Sequence, residues 1–249
     1  KYNQTGLVIG TKFEYLYDFN LGLSTQSWIE KIETDSTASA LQKKQEGDYW
    51  DSFLKLDFDY DKRNQKFQTN EGFRSYYSAD LPVISKTNTL KNVYNYKYCT
   101  ELYEENISTF SFYVSGVNSI TNDDVKLSER LNIPSSRLRG FEFGKVGPKE
   151  CNDYIGGNDV TTMKFTATIP QILENSQNTD FLFFLDIANI WGVDYDSSLD
   201  DANKIRSAAG VGVDWFTPVG PLNFSLSQNI SKADTDKTES FRFNLGTTF

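Results

Sequence analysis

The chain has no histidine and only two cysteines, Cys99 and Cys151, so the commonest metal ligand and general base is absent. Any chemistry must come from carboxylates, guanidinium groups and amines. Asp57, Asp59 and Asp61 alternate, which puts three carboxylates on one face if their segment is a strand. A calcium site or an acid–base pair would use such a set. A strand wall facing water carries the same pattern, and that plainer reading is preferred. Asp194, Asp196, Asp200 and Asp201 fall in a polar stretch where solvation is the simplest expectation and surface calcium stays open. The glycine-rich 210–220 stretch lacks the Lys-Ser/Thr pair and following helix of a phosphate loop. Lys232 to Lys237 reads as a polar outer loop. Asp186 is different. It sits in Phe183-Phe184-Leu185-Asp186-Ile187-Ala188-Asn189-Ile190-Trp191, among apolar neighbours, and an ionised carboxylate there needs a partner. With no nucleophile beside a base and no metal set, neither an enzyme nor a cofactor is expected.

The elements that must position these groups are strands. Leu54, Leu56, Phe58 and Tyr60 alternate with Lys55, Asp57, Asp59 and Asp61; Leu222, Phe224, Leu226 and Ile230 alternate with Asn223, Ser225, Ser227 and Asn229. The pattern predicts about eleven strands, over 5–16, 19–32, 50–61, 72–84, 87–101, 107–117, 159–169, 180–192, 205–217, 220–231 and 239–249, with one face apolar and the other hydrophilic throughout. Phe183, Leu185, Ile187 and Trp191 share the apolar parity, so Asp186 points to the opposite face. Connections are tight at Tyr17-Asp18, Glu104-Glu105-Asn106 and Pro218-Val219-Gly220, and long and polar at 33–49, 118–158 and 193–204. Short and long connections alternate through most of the chain, as an up-and-down antiparallel barrel demands. The 37–46 stretch, inside a loop, is the longest amphipathic helical segment.

Composition separates the fold classes. A net charge of −9 and a pI near 4.7 argue against a nucleic-acid footprint. Mean hydropathy is −0.51, and no run approaches the ~18–20 apolar residues of a transmembrane helix. A transmembrane barrel hides its apolar residues in alternation, and an aromatic content of 15% suits interfacial girdles. A soluble two-sheet sandwich also alternates, but its strands are shorter and its core aliphatic. The strands here are long, their apolar face is aromatic-rich, and Asp, Lys and Arg stand mid-strand on the other. The transmembrane barrel is therefore expected, with two unpaired thiols. The chain begins mid-pattern at Lys1-Tyr2-Asn3 and is expected to be a fragment lacking its export signal and N-terminal part.

Three stretches carry a family resemblance. Arg137-Leu138-Arg139-Gly140-Phe141, followed by Gly147-Pro148-Lys149 and Ile155-Gly156-Gly157-Asn158, resembles the aliphatic-Arg-Gly-aromatic loop signature of the BamA superfamily. The run containing Asp186 resembles the strand that supplies the acidic partner of that arginine. Phe241-Arg242-Phe243-Asn244-Leu245-Gly246-Thr247-Thr248-Phe249 resembles the terminal-strand signal of outer-membrane barrels, and Trp215 to Leu222 resembles the hairpin before it. Upstream, Tyr60-Asp61-Lys62 through Thr69-Asn70-Glu71-Gly72-Phe73-Arg74 is similar to the family's Tyr-Asp…Pro-Thr-x-Gly hairpin, with Asn70 where the pattern varies.

The resemblance implies the last eleven strands of a sixteen-stranded barrel, one domain over 1–249, with the 118–158 loop folded into the interior. It implies an Arg139–Asp186 pair, with Leu138, Gly140 and Phe141 around the arginine. A second carboxylate that some members use falls near Thr166. Phe241, Phe243, Leu245 and Phe249 would form the terminal signal, with Gly246 as its hinge. The implied function is insertion of outer-membrane β-barrel proteins through a lateral seam, in the outer membrane of a Gram-negative bacterium. The implied partners are unfolded outer-membrane proteins, outer-membrane lipids and accessory lipoproteins, and no nucleic acid. A two-partner secretion pore sharing the loop is the alternative; a general porin and a soluble carbohydrate-binding sandwich rank lower.

Overall fold

Period-two alternation produces long strands because each buries or exposes its side chains by parity while the backbone bonds to both neighbours. The computed structural model describes residues 2–66, 69–103, 106–121, 123–169, 179–200, 203–217 and 220–245. Its strands are β1 (Tyr2–Leu16), β2 (Phe19–Ile32), β3 (Gly47–Asp61), β4 (Gly72–Ile84), β5 (Thr89–Tyr103) and β6 (Asn106–Ser119). They continue with β7 (Lys149–Glu150), β8 (Asp153–Tyr154), β9 (Asp159–Ile169), β10 (Thr179–Trp191), β11 (Arg206–Thr217), β12 (Gly220–Ser231) and β13 (Phe241–Leu245). Eleven form one antiparallel meander, β1-β2-β3-β4-β5-β6-β9-β10-β11-β12-β13, with β1 and β13 at its edges. The all-β, up-and-down architecture expected from alternation is the one observed. The hairpin β7–β8 lies within the long 120–158 segment, where no strand was expected. Of the 37–46 stretch, Ala40–Lys43 forms one helical turn, capped by Ser39.

The outward face is apolar and exposed, with Leu7, Phe13, Ile29, Phe183, Val211, Leu226 and Phe243 all open. In water such a face would drive association; in a bilayer it meets its proper solvent. Rings stack from strand to strand along one level of it. Phe19–Tyr60, Tyr60–Phe73, Phe73–Tyr96, Tyr96–Phe110 and Phe110–Phe165 have centroids 6.3, 5.6, 6.0, 6.5 and 4.9 Å apart. This ladder runs near the end where β1 turns into β2, and marks an interfacial girdle.

The inner face departs from the uniformly hydrophilic wall that alternation predicts. Val125, Leu131, Ile133, Leu138, Phe141 and Val146 of the 120–158 segment pack on Val117, Val160, Ala188, Ile190 and Ala208 of the strands. Burying each large apolar side chain contributes about 1.5–3 kcal/mol, so this contact holds the segment down. The wall carries an apolar patch beneath part of the loop and is polar elsewhere.

Candidate functional site

The loop motif is built around a guanidinium brought down onto β10. Asp186 Oδ2 accepts from Arg139 Nε (2.7 Å) and from the Arg139 backbone N–H (3.0 Å), while Oδ1 accepts from Nη2 (2.7 Å). The Asp186 side chain is fully buried and that of Arg139 nearly so. The Arg139 guanidinium also lies 3.5 Å from the centre of the Phe184 ring, two residues along the same strand face. Planar two-point hydrogen bonding with a stacked ring is a geometry that lysine cannot reproduce.

The neighbours of Arg139 have separate tasks. Leu138 and Phe141 are buried in the apolar contact. Gly140 has φ +86°, and a Cβ there would come within 2.9 Å of Ala208 Cβ. Its carbonyl accepts from Asn229 Nδ2 (2.7 Å) and from the Glu239 backbone N–H (3.1 Å). Gly140→Ala is expected to destabilise the docked loop by about 1–3 kcal/mol, since both backbone and space are wrong for a side chain. Urea titration of the intact protein in vesicles measures this; an unchanged midpoint would refute it.

The terminal strand also grips the loop, and sequence reasoning did not single this out. Arg242 of β13 donates to the carbonyls of Leu138 (3.1 Å), Ser135 and Phe141, and pairs with Glu239. The available signal was parity: Arg242 stands between Phe241 and Phe243, both exposed on the outward face. Phe241, Phe243 and Leu245 lie outward on β13, where Phe243 packs on Phe224 at 5.0 Å. Gly246 and Phe249, the expected hinge and final aromatic, lie outside the described residues. So do Glu104, Glu105, Pro218 and Val219 of two expected turns.

Several expected solvated groups are engaged instead. Asp236, in the stretch read as a polar outer loop, is buried against Arg206, with Nε–Oδ2 at 2.9 Å and Nη2–Oδ1 at 3.2 Å. Asp194 accepts from the Val125 N–H (2.9 Å), from Asn158 Nδ2 (3.1 Å) and from Arg130. Asp59 holds Arg74 and Lys12, and Asp61 holds Arg63. The reason is common to all: loops and strand ends fold over the wall, and a covered carboxylate keeps its charge only beside a cation. Lys126 shows the balance. Burial opposes its charge, but Glu129, Asp51 and Glu30 outweigh that and hold its pKa above the ordinary lysine value. Both cysteines are free thiols, Cys99 buried and Cys151 exposed. Among the described residues no group of His, Cys, Asp or Glu is arranged to hold a metal ion.

Thr166 lines a polar cavity together with Arg139, Lys164 and Asp214. Asp214 accepts from Asn223 Nδ2 at 2.7 Å, so a carboxylate on β11 shares the cavity where the threonine stands. Lys164 is the β9 partner of Asp186 and donates to the Ser136 carbonyl of the loop.

Comparison with known proteins follows the same line. The model of the Omp85 superfamily domain matches residues 1–249. The outer membrane protein assembly factor BamA of Neisseria meningitidis serogroup B is 28% identical over 139 residues, covering 45% of this chain and 17% of that protein. The BamA of Neorickettsia risticii is 26% identical over 117 residues, covering 46% of this chain and 16% of that protein. The crystal structure of BamA from Haemophilus ducreyi lacking POTRA domains 1–3 superposes with a TM-score of 0.84 at 20% identity, covering 97% of this chain and 53% of that one. The chain thus spans under a fifth of the length of these curated relatives and about half of the matched structure. A full-length family match, an eleven-stranded meander with an apolar outer face, and an arginine loop seated on its inner face lead to one conclusion: the chain belongs to the Omp85 superfamily and is a BamA-like portion of an outer-membrane barrel.

Proposed function

We propose that this chain forms the loop-bearing and terminal part of an outer-membrane insertase, which assembles barrel proteins by offering a strand edge. An open edge in lipid leaves N–H and C=O groups unpaired at several kcal/mol each, so a membrane sheet with an available edge is poised to pair with an incoming strand. One observation carries the reading. Arg242 of β13 donates to the same loop backbone that presents Arg139 to Asp186, so the terminal strand and the interior loop are coupled through one cluster. No covalent chemistry is required. Unfolded outer-membrane proteins are the substrates in this reading. Outer-membrane lipids surround the Phe and Tyr girdle, and accessory lipoproteins complete the machine.

The test is a photo-reactive residue at Leu245 of β13, with another at Tyr94 of β5 as reference, in the intact protein in cells. Capture of a barrel precursor at Leu245 and not at Tyr94 is expected. Equal capture at the two positions would overturn the edge mechanism. Capture of a secreted protein in transit would favour the two-partner secretion pore.

A further inference from the structure

A second inner-face site lies beside the loop. Cα partners run in register across the wall: Asp61–Arg74, Arg74–Lys97, Lys97–Ser111, Ser111–Lys164 and Lys164–Asp186. From β3 to β9 this row lies one residue from the aromatic girdle, so it stands at interfacial height on the opposite face of the wall. A cavity of about 130 Å³ opens over it, lined by Arg63, Arg74, Lys97, Arg137 and Lys164. The rest of its lining is asparagine and serine, and among the described residues no carboxylate borders it.

Four cations, Arg63, Arg74, Lys97 and Arg137, crowd one small cavity beside Lys164 and repel one another, and in a chain of net charge −9 they are not an overflow of basic composition. Arg63 and Arg74 are anchored by Asp61 and Asp59. Among the described residues no carboxylate lies within ion-pair distance of Lys97 or Arg137. Arg137 is held instead over the Tyr113 ring at 4.2 Å, and burial lowers its pKa from the ordinary arginine value. Such an arrangement costs stability unless a negative ligand completes it.

We propose that this cavity is an oxyanion-binding site for the carboxylates of an extended acidic polypeptide entering from the short-turn end of the barrel. The lining decides the class. It contains basic residues, an asparagine and serines but no hydrophobic residue to seat an acyl chain, which argues against a lipid headgroup. Its volume admits a carboxylate and a carbon or two, but no folded domain. Paired guanidinium forks match the planar carboxylate. The assignment of the polypeptide as a barrel precursor rests on the assembly reading; the anion preference does not.

The experiment uses the intact protein in nanodiscs and fluorescent tetra-glutamate and tetra-glutamine peptides, with inorganic phosphate as a third probe. Tetra-glutamate is expected to bind at least about tenfold more tightly than tetra-glutamine, with affinity falling as salt rises. The double variant Lys97→Gln/Arg137→Gln should erase that difference. Its urea midpoint should be unchanged or higher, because removing two like charges that no carboxylate balances relieves repulsion. Equal binding of the two peptides, a difference that survives in the double variant, or loss of the folded form would each overturn the proposal. Phosphate binding as tight as tetra-glutamate would reduce the cavity to a free-ion site and also overturn it. Binding is read without insertion, so a negative result leaves the assembly reading standing, and a failed Leu245 capture leaves the anion site standing.

Discussion

Asp186→Arg is expected to release the 120–158 segment from the inner face of the sheet and to abolish most precursor insertion. The carboxylate accepts three hydrogen bonds from Arg139, one of them from its backbone. Reversing its charge leaves two guanidinium groups facing each other at a site where Asp186 is fully buried. Breaking a buried pair costs about 3–5 kcal/mol, which lowers the population of the docked loop by a factor of roughly 100 or more. Trypsin cleavage at Arg137 or Arg139 in the intact protein in vesicles reads the release directly. Asp48→Arg, at an exposed position on β3, should stay within about 0.5 kcal/mol of the parent. A loop still protected in Asp186→Arg would refute the clamp.

The exchanged pair Arg139→Asp/Asp186→Arg separates charge from geometry. It restores opposite signs, but an arginine at 186 cannot accept the backbone N–H of residue 139, and Phe184 would lose the cation stacked on it. Recovery should therefore be partial. Full recovery of loop protection and insertion would mean that charge alone matters.

The second large effect is expected at Asp236→Ala. Asp236 and Arg206 are both fully shielded from solvent, and Asp236 also accepts from the N–H groups of Gly147 (3.2 Å) and Ala233 (2.7 Å). Alanine takes the carboxylate acceptor from Nε and Nη2 of a buried guanidinium and from two N–H groups, a loss of about 3–5 kcal/mol. The damage should spread, because the same stretch binds the loop. Lys237 N–H donates to the Lys145 carbonyl, Glu142 N–H to the Lys237 carbonyl, and Phe141 bridges to Thr238. The apolar exchange Arg206→Met/Asp236→Leu removes both charges and should lie between parent and single variant, since the two N–H groups still lack a partner. Urea titration in vesicles orders the three proteins. A double variant less stable than Asp236→Ala would show that the pair itself, and not the uncompensated charge, carries the stability.

How much of this was legible in the chain follows from the reach of each interaction. Alternation is local, so the eleven membrane strands, their order and the parity of Asp186 could all be read without coordinates. Parity alone also turns Arg242 inward between Phe241 and Phe243, though not toward any particular partner. The Arg139–Asp186 contact joins residues 47 apart; residue types made it chemically sensible, and family resemblance supplied the pairing. Asp194 and Asp236 were misjudged because their burial depends on where distant loops come to rest.

By itself the sequence determined the strands, their outward apolar face and the absence of a histidine-based site. Hydrogen-bonded neighbours in a meander are adjacent in the chain, so short-range pattern suffices for these. Only the tertiary structure decided that an apolar patch of the inner wall is covered by the loop, that Arg242 holds the loop from the terminal strand, and that basic side chains of wall and loop meet around one cavity. Each of those depends on a long segment folding back across strands far away in sequence, and no periodicity encodes where such a segment lands.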